Sequence, residues 1–235
     1  MNRAVLLSLL CLPLARVGAQ VIEAFPPVES YKGEARIGLV TSPARRTSVA
    51  SGATAPPGSG TLSGAELYVR ASNIGVYVRS ISGEFDQSDQ VVGKKYSLQE
   101  ARLLIGSTGL SMEGGVARRI ATSDADPLAT KKQMLYRAGA RSQWGIGGSR
   151  LLVSLAAGGR FANVKNGSTK ALKFLGFDAE GSLLGQAPKN LPLYAIVGWR
   201  YERFDDPWGT NLRVEEQAGP FFGVGIRFAG RPELR

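Results

Sequence analysis

Ten segments of this chain alternate side-chain character with a period of two, and that pattern limits the fold more than any other feature. They lie near 35–42, 64–71, 74–84, 97–106, 109–121, 131–146, 149–162, 171–184, 192–204 and 218–228. A period of two puts successive side chains on opposite faces of a strand. Leu67, Val69 and Ala71 oppose Glu66, Tyr68 and Arg70; Ala195, Val197, Trp199 and Tyr201 oppose Ile196, Gly198, Arg200 and Glu202. Most segments are close to the roughly 9–11 residues that a tilted strand needs to cross a bilayer. After residue 19, no stretch approaches the ~18 apolar residues of a spanning helix. The chain reads as all-β: a closed antiparallel up-and-down transmembrane barrel of about ten strands, with eight as the alternative if two short segments merge.

The connections alternate long and short. Residues 43–63, 85–96, 122–130, 163–170 and 205–217 are long and rich in Gly, Ser, Thr, Pro, Asp or Lys; Ser72-Asn73, Ser107-Thr108 and Gly147-Gly148 each suit a two-residue turn, with a looser turn over 185–191. Such turns predict register. They pair Ala71 with Ile74, Val69 with Val76, Ile105 with Leu110, Leu103 with Met112, Trp144 with Leu151 and Ser142 with Val153. They also set Glu66 opposite Arg79 and Arg102 opposite Glu113, two favourable cross-strand pairs.

Periodicity does not say which face is inside. A soluble, lipocalin-like exported barrel would hold its apolar face inward and carry Lys, Glu and Thr outside. Here the polar face interleaves Gly, Ala and Ser with Arg36, Arg70, Arg79, Arg102, Arg119, Arg137, Arg141, Arg160, Arg200 and Arg227. Its acids are Glu66, Glu113, Asp178, Glu180 and Glu202. Small residues beside guanidinium groups read as a packed lumen, to which the planar, multi-donor Arg head is suited. Barrels near eight strands are filled by side chains, so the network reads first as a structural salt-bridge core and second as a narrow path for anions.

Histidine is absent and Cys11 is the one cysteine. Missing histidine removes the commonest general base and the commonest metal ligand, so a charge-relay hydrolase is excluded. Arg3, an apolar run over 4–14 and Val17-Gly18-Ala19 predict a secretory signal cleaved after Ala19. Cleavage removes Cys11 with Arg3 and Arg16, and the formal charge falls from +10 to +8. The expected division is signal peptide 1–19, a periplasmic extension 20–34, barrel 35–228 and tail 229–235. No catalytic residue, metal, cofactor or nucleic-acid partner is assigned. The acidic pairs Asp124/Asp126, Asp205/Asp206 and Glu215/Glu216 read as solvated loop charge rather than a calcium site.

Tyr136, Trp144, Phe161, Trp199, Tyr201 and Phe228, together with Trp208, are candidate aromatics for the membrane–water interfaces. Lys131, Lys132, Lys165, Lys170 and Lys173 cluster near the long-loop rim, where they suit lipopolysaccharide phosphates or serve equally as solubilising charge. In the final segment Phe222, Val224, Ile226 and Phe228 alternate with Gly, Gly and Arg. This run resembles the C-terminal targeting strand of bacterial outer-membrane β-barrels, although a tail from Ala229 to Arg235 follows it. The overall plan is similar to the OmpA-domain, OmpX and OmpW group. That resemblance implies location in the outer membrane, contact with outer-membrane lipid and lipopolysaccharide, and delivery to the barrel-assembly machinery through residues 222–228. Enzymes among such barrels generally rely on histidine, so the expected role is a non-enzymatic surface scaffold presenting loops. A narrow passive channel is the alternative, and a soluble barrel binding an apolar ligand the second.

Overall fold

The computed structural model describes residues 33–50, 53–54, 58–86, 95–122, 131–146, 151–166, 169–187, 191–206 and 213–229. The strands are β1 (Gly33–Ala50), β2 (Ala53–Thr54), β3 (Gly58–Ala71), β4 (Ile74–Phe85), β5 (Lys95–Gly106), β6 (Ser111–Thr122), β7 (Lys131–Ile146), β8 (Leu151–Asn166), β9 (Thr169–Gln186), β10 (Leu193–Asp206) and β11 (Arg213–Ala229). Neighbours in sequence pair antiparallel from β3 to β11, and β1 pairs with both β3 and β11, which closes the wall. Short β2 pairs with the last residues of β1, so ten strands form the ring.

The strands run to 12–18 residues in the wall, longer than a bilayer requires. All five segments read as long loops are thereby corrected at their ends, three of them by several residues. Residues 43–50 and 58–63 extend β1 and β3; 163–166 and 169–170 extend β8 and β9; 213–217 open β11. Their Ser, Gly, Arg and Glu content has the composition of a loop, yet the backbone ladder continues regardless of side-chain polarity. Pro43 adds to the misreading of 43–63, and it faces Pro220 across the seam. Between Thr41↔Phe222 and Arg45↔Ala218 the β1–β11 ladder breaks, at the point where the two prolines face each other without N–H donors. Ser42 Oγ donates to the Pro220 carbonyl at 2.9 Å there.

The predicted pairs Ala71↔Ile74, Val69↔Val76 and Glu66↔Arg79 are observed. At the next turn Ile105 meets Met112, not Leu110, because the connection has four residues. Ser107 Oγ accepts from Leu110 N at 3.1 Å to hold it, and Gly106 supplies a positive φ of 131°. Likewise Trp144 meets Val153, not Leu151. Both displacements are of two residues, so every side chain keeps its face. Arg102 therefore faces Gly115 rather than Glu113. A β-bulge between β8 and β9 shifts register at Arg160/Phe161, and Leu175 and Gly176 are both buried there. Gly176 has φ 149°, and a Cβ on it would lie 2.0 Å from the Arg203 carbonyl oxygen.

Leu39, Met112 and Val224 stand outside at 69%, 65% and 63% exposure, while Arg79 and Arg160 are inside at 1% and 0%. This overturns the soluble alternative, which needs the opposite polarity. Residues 1–32, including the predicted signal and most of the predicted extension, lie outside the described residues, as do Trp208, Asp124 and Asp126; Gly33 and Glu34 belong to β1.

Candidate functional site

Each barrel strand contributes alternate residues to the lumen, so strand parity decides which charges meet. The centre holds Arg79 (β4), Arg102 and Glu100 (β5), Glu113 (β6), Arg137 (β7), Arg160 (β8), Asp178 (β9) and Glu202 (β10). Four guanidiniums thus face four carboxylates, all buried. Glu100 lies 3.1 Å from Arg79, 2.7 Å from Arg102 and 2.5 Å from Arg160. Arg137 grips Asp178 with Nε at 3.0 Å and Nη2 at 2.9 Å, and also donates to Glu113. Arg160 Nε sits 2.7 Å from Asp178, and Arg79 Nη2 donates to Glu202 at 2.9 Å. Such shared, forked contacts offset desolvation where a single pair would not. Glycine makes the space: a Cβ on Gly158 would lie 2.7 Å from Arg137 Cζ.

Toward the short-turn end, Arg141 Nε donates to Glu113 at 2.5 Å, and Arg200 Nε donates to Glu180 at 2.9 Å while stacking 4.4 Å over Phe221. Glu66 accepts from Tyr77 Oη at 3.0 Å, while Arg79, its partner in register, turns to Glu100, Glu180 and Glu202. At the short-turn mouth, Arg227 donates to Glu34 at 2.7 Å, Arg36 lies 4.1 Å over Tyr68, and Arg70 Nε donates to the Ser72 carbonyl at 3.0 Å. Near the long-loop end, Arg119 donates to Gln133 at 3.0 Å, and Arg46 and Arg119 share Glu215.

Between that outer triad and the centre lies an apolar layer. One inward step toward the long loops from Arg79, Glu100, Arg137, Arg160 and Glu202 come Ile81, Leu98, Leu135, Ala162 and Phe204, all in one buried cluster with Leu62, Phe85 and Leu175. A guanidinium layer roofed by hydrocarbon leaves little passage for an ion. On the short-turn side a cavity of about 20 Å³ remains among Arg36, Glu66, Tyr68, Tyr77 and Arg141, room for about one water.

All fifteen charged residues named from sequence lie on the inward face, but they form three groups along the axis rather than one track. Glu34, Arg46, Glu100 and Glu215 also belong to it. Glu100 was legible, since it shares parity with Arg102. The other three lie in segments read as loop or extension. Glu215 and Glu216 separate: Glu215 faces inward, and Glu216 pairs outside with Arg203 at 3.2 Å. Tyr68 and Ile196 were placed on the polar face from sequence and are buried there, whereas the apolar layer of Ile81, Leu98, Leu135 and Phe204 was not read. Outside, Tyr136, Trp199 and Phe228 are exposed, and Trp144, Phe161 and Tyr201 are half-buried. Phe161 packs edge-on to Phe174 at 5.5 Å, as does Tyr201 on Phe177, tilted, at 5.5 Å. Trp199 stands at mid-strand.

An apolar outer wall around a charged lumen is the polarity of a barrel dissolved in lipid. The chain is a ten-stranded barrel of the outer-membrane type. No protein family and no curated protein matches it. Among solved structures, the translocator domain of autotransporter NalP from Neisseria meningitidis aligns over 92% of this chain and 95% of its own at 13% identity and TM-score 0.38. Outer membrane protein OprG from Pseudomonas aeruginosa aligns over 87% and 99% at 12% identity and TM-score 0.32. Ail, the attachment invasion locus protein of Yersinia pestis, aligns over 84% and 99% at 11% and 0.28. Likeness this weak carries no inference about role.

Proposed function

We propose that this barrel is a closed, non-enzymatic scaffold that holds its long-loop end rigidly at the outer surface of the bacterial outer membrane. The observation that carries this reading is the double seal of the lumen: a balanced ionic layer roofed by Ile81, Leu98, Leu135 and Phe204. A cross-linked lumen resists the shear that would deform loops anchored on strand ends. On the outer wall Lys132 and Lys170 are exposed, and they supply charge for lipopolysaccharide phosphates. Strand β11 must find β1 to close the seam, which suits residues 222–228 as the segment read by the assembly machinery.

One observation favours a second reading, a narrow anion channel. Among the described residues, the inward face carries eleven arginines against eight carboxylates. The surplus sits at the two mouths, with Arg36, Arg70 and Arg227 around Glu34, and Arg46 and Arg119 on Glu215, whereas the centre is balanced. An anion drawn to either mouth meets a neutralised, apolar middle. Planar-bilayer recording of the refolded chain tests the choice, with folding checked by heat-modifiable gel mobility. Silence from folded protein is the expected result. Stable, anion-biased steps that change with Arg137→Ala or Arg141→Ala would replace the scaffold by a pore.

A further inference from the structure

The outward apolar wall is not equally tall around the barrel. On β7 it runs from Ile146 to Met134 with Ser142 as its polar break. On β4 it stops after Ile74, Val76 and Val78, and Ser80, Ser82 and Glu84 follow. On β5 it stops after Ile105, Leu103 and Ala101, and Gln99, Ser97 and Lys95 follow. At a strand tilt near 40°, those five-residue runs cover about 10–13 Å, against an apolar band of about 25 Å. Leaning the barrel does not restore the height, because it would lower the exposed Ser72-Asn73 turn into hydrocarbon. A hydroxyl face left against acyl chains lacks partners.

We propose that a second copy of this chain covers the β4–β5 wall, giving a two-fold dimer with its axis along the membrane normal. The inference rests on the membrane placement above. Hydroxyl groups both donate and accept, so a serine face complements itself across a two-fold axis. The side chains are small, and the wall is hollowed beside Ser82 and Ser97 into a recess of about 300 Å³, which lets two backbones approach. The rim supplies charge complementarity. Glu84 and Lys95 are cross-strand neighbours, 3.9 Å apart and largely exposed. An axis passing between them sets Glu84 of each copy against Lys95 of the other.

The test is a charge swap in nanodiscs, with particle mass as the readout and heat-modifiable mobility as the folding control. The unaltered chain should give twice the monomer mass. Glu84→Lys and Lys95→Glu alone should each give monomers, because like charges then meet. Mixed together, the two variants should recover the dimer mass. A Ser82→Cys chain should cross-link to its copy with a short bis-maleimide, and an Ala157→Cys chain, on β8 three strands beyond β5, should not. Monomers at every protein-to-lipid ratio, or equal cross-linking from both walls, would overturn the dimer. A monomer that selects short-chain lipids would assign the short wall to a thinned bilayer instead. Refolding to a stable barrel in buffer alone would defeat the membrane placement, independently of the dimer.

Discussion

Removing Glu100 should cost more than removing any outward residue of β5. This carboxylate lies within 3.1 Å of Arg79, Arg102 and Arg160, and its side chain is fully buried. Glu100→Ala leaves three guanidiniums with one fewer counter-charge and opens a void. Breaking a buried ionic cluster by deleting one partner costs about 3–5 kcal/mol. The remaining carboxylates Glu202, Glu113 and Asp178 still contact these arginines, which sets the expectation at the low end, about 3 kcal/mol. With a urea dependence of about 2 kcal/mol per molar, the unfolding midpoint should fall by about 1.5 M. Glu100→Gln keeps the volume and should recover less than half of the loss, since the charge is the larger part. The assay is urea unfolding in liposomes, followed by tryptophan fluorescence and gel mobility, with Gln99→Ala as the outward control. A fall no greater than that of Gln99→Ala would refute the ionic layer as a source of stability.

Further outcomes follow from the geometry. Gly158→Ala places a Cβ 2.7 Å from Arg137 Cζ and should cost about 1–3 kcal/mol, read as a lower urea midpoint, by displacing the fork on Asp178. Phe85→Ala removes a fully buried ring of the apolar layer and should cost about 3–5 kcal/mol, yet leave planar bilayers silent because the ionic layer stays shut. Val224→Arg on the lipid face should cost about 2–4 kcal/mol if the side chain lies near the bilayer midplane; an unchanged midpoint would place it outside the hydrocarbon. Gly176→Ala should release the bulge, and faster amide exchange in the long-loop half of β8 and β9 would report it.

The wall of this barrel was readable from sequence because a period of two is a local property. Alternation in Phe222–Phe228 or Leu67–Ala71 assigns faces without knowledge of any neighbour. Inward Arg beside outward Leu then decides which face meets lipid, since the cost of exposing a guanidinium to hydrocarbon does not depend on the register. Strand ends were less legible. Above the lipid the outward residues become Thr61, Ser59 or Arg45, and a polar strand has the composition of a loop.

What fills the lumen is a tertiary matter. Whether Glu66 pairs with Arg79 depends on where eight other strands send their charges; they send Glu100, Glu180 and Glu202 to Arg79, and Glu66 takes Tyr77 instead. The apolar layer exists because Ile81, Leu98, Leu135 and Phe204, scattered over 124 positions of sequence, fall at one level once the shear of the closed sheet is set. The sequence alone determined a strand-crossing barrel with arginine inside and apolar residues outside, through steric alternation and solvation. Closure decided which charges share a carboxylate, where the lumen is sealed and which wall is left too short, because each depends on distances between residues that only the ring brings together.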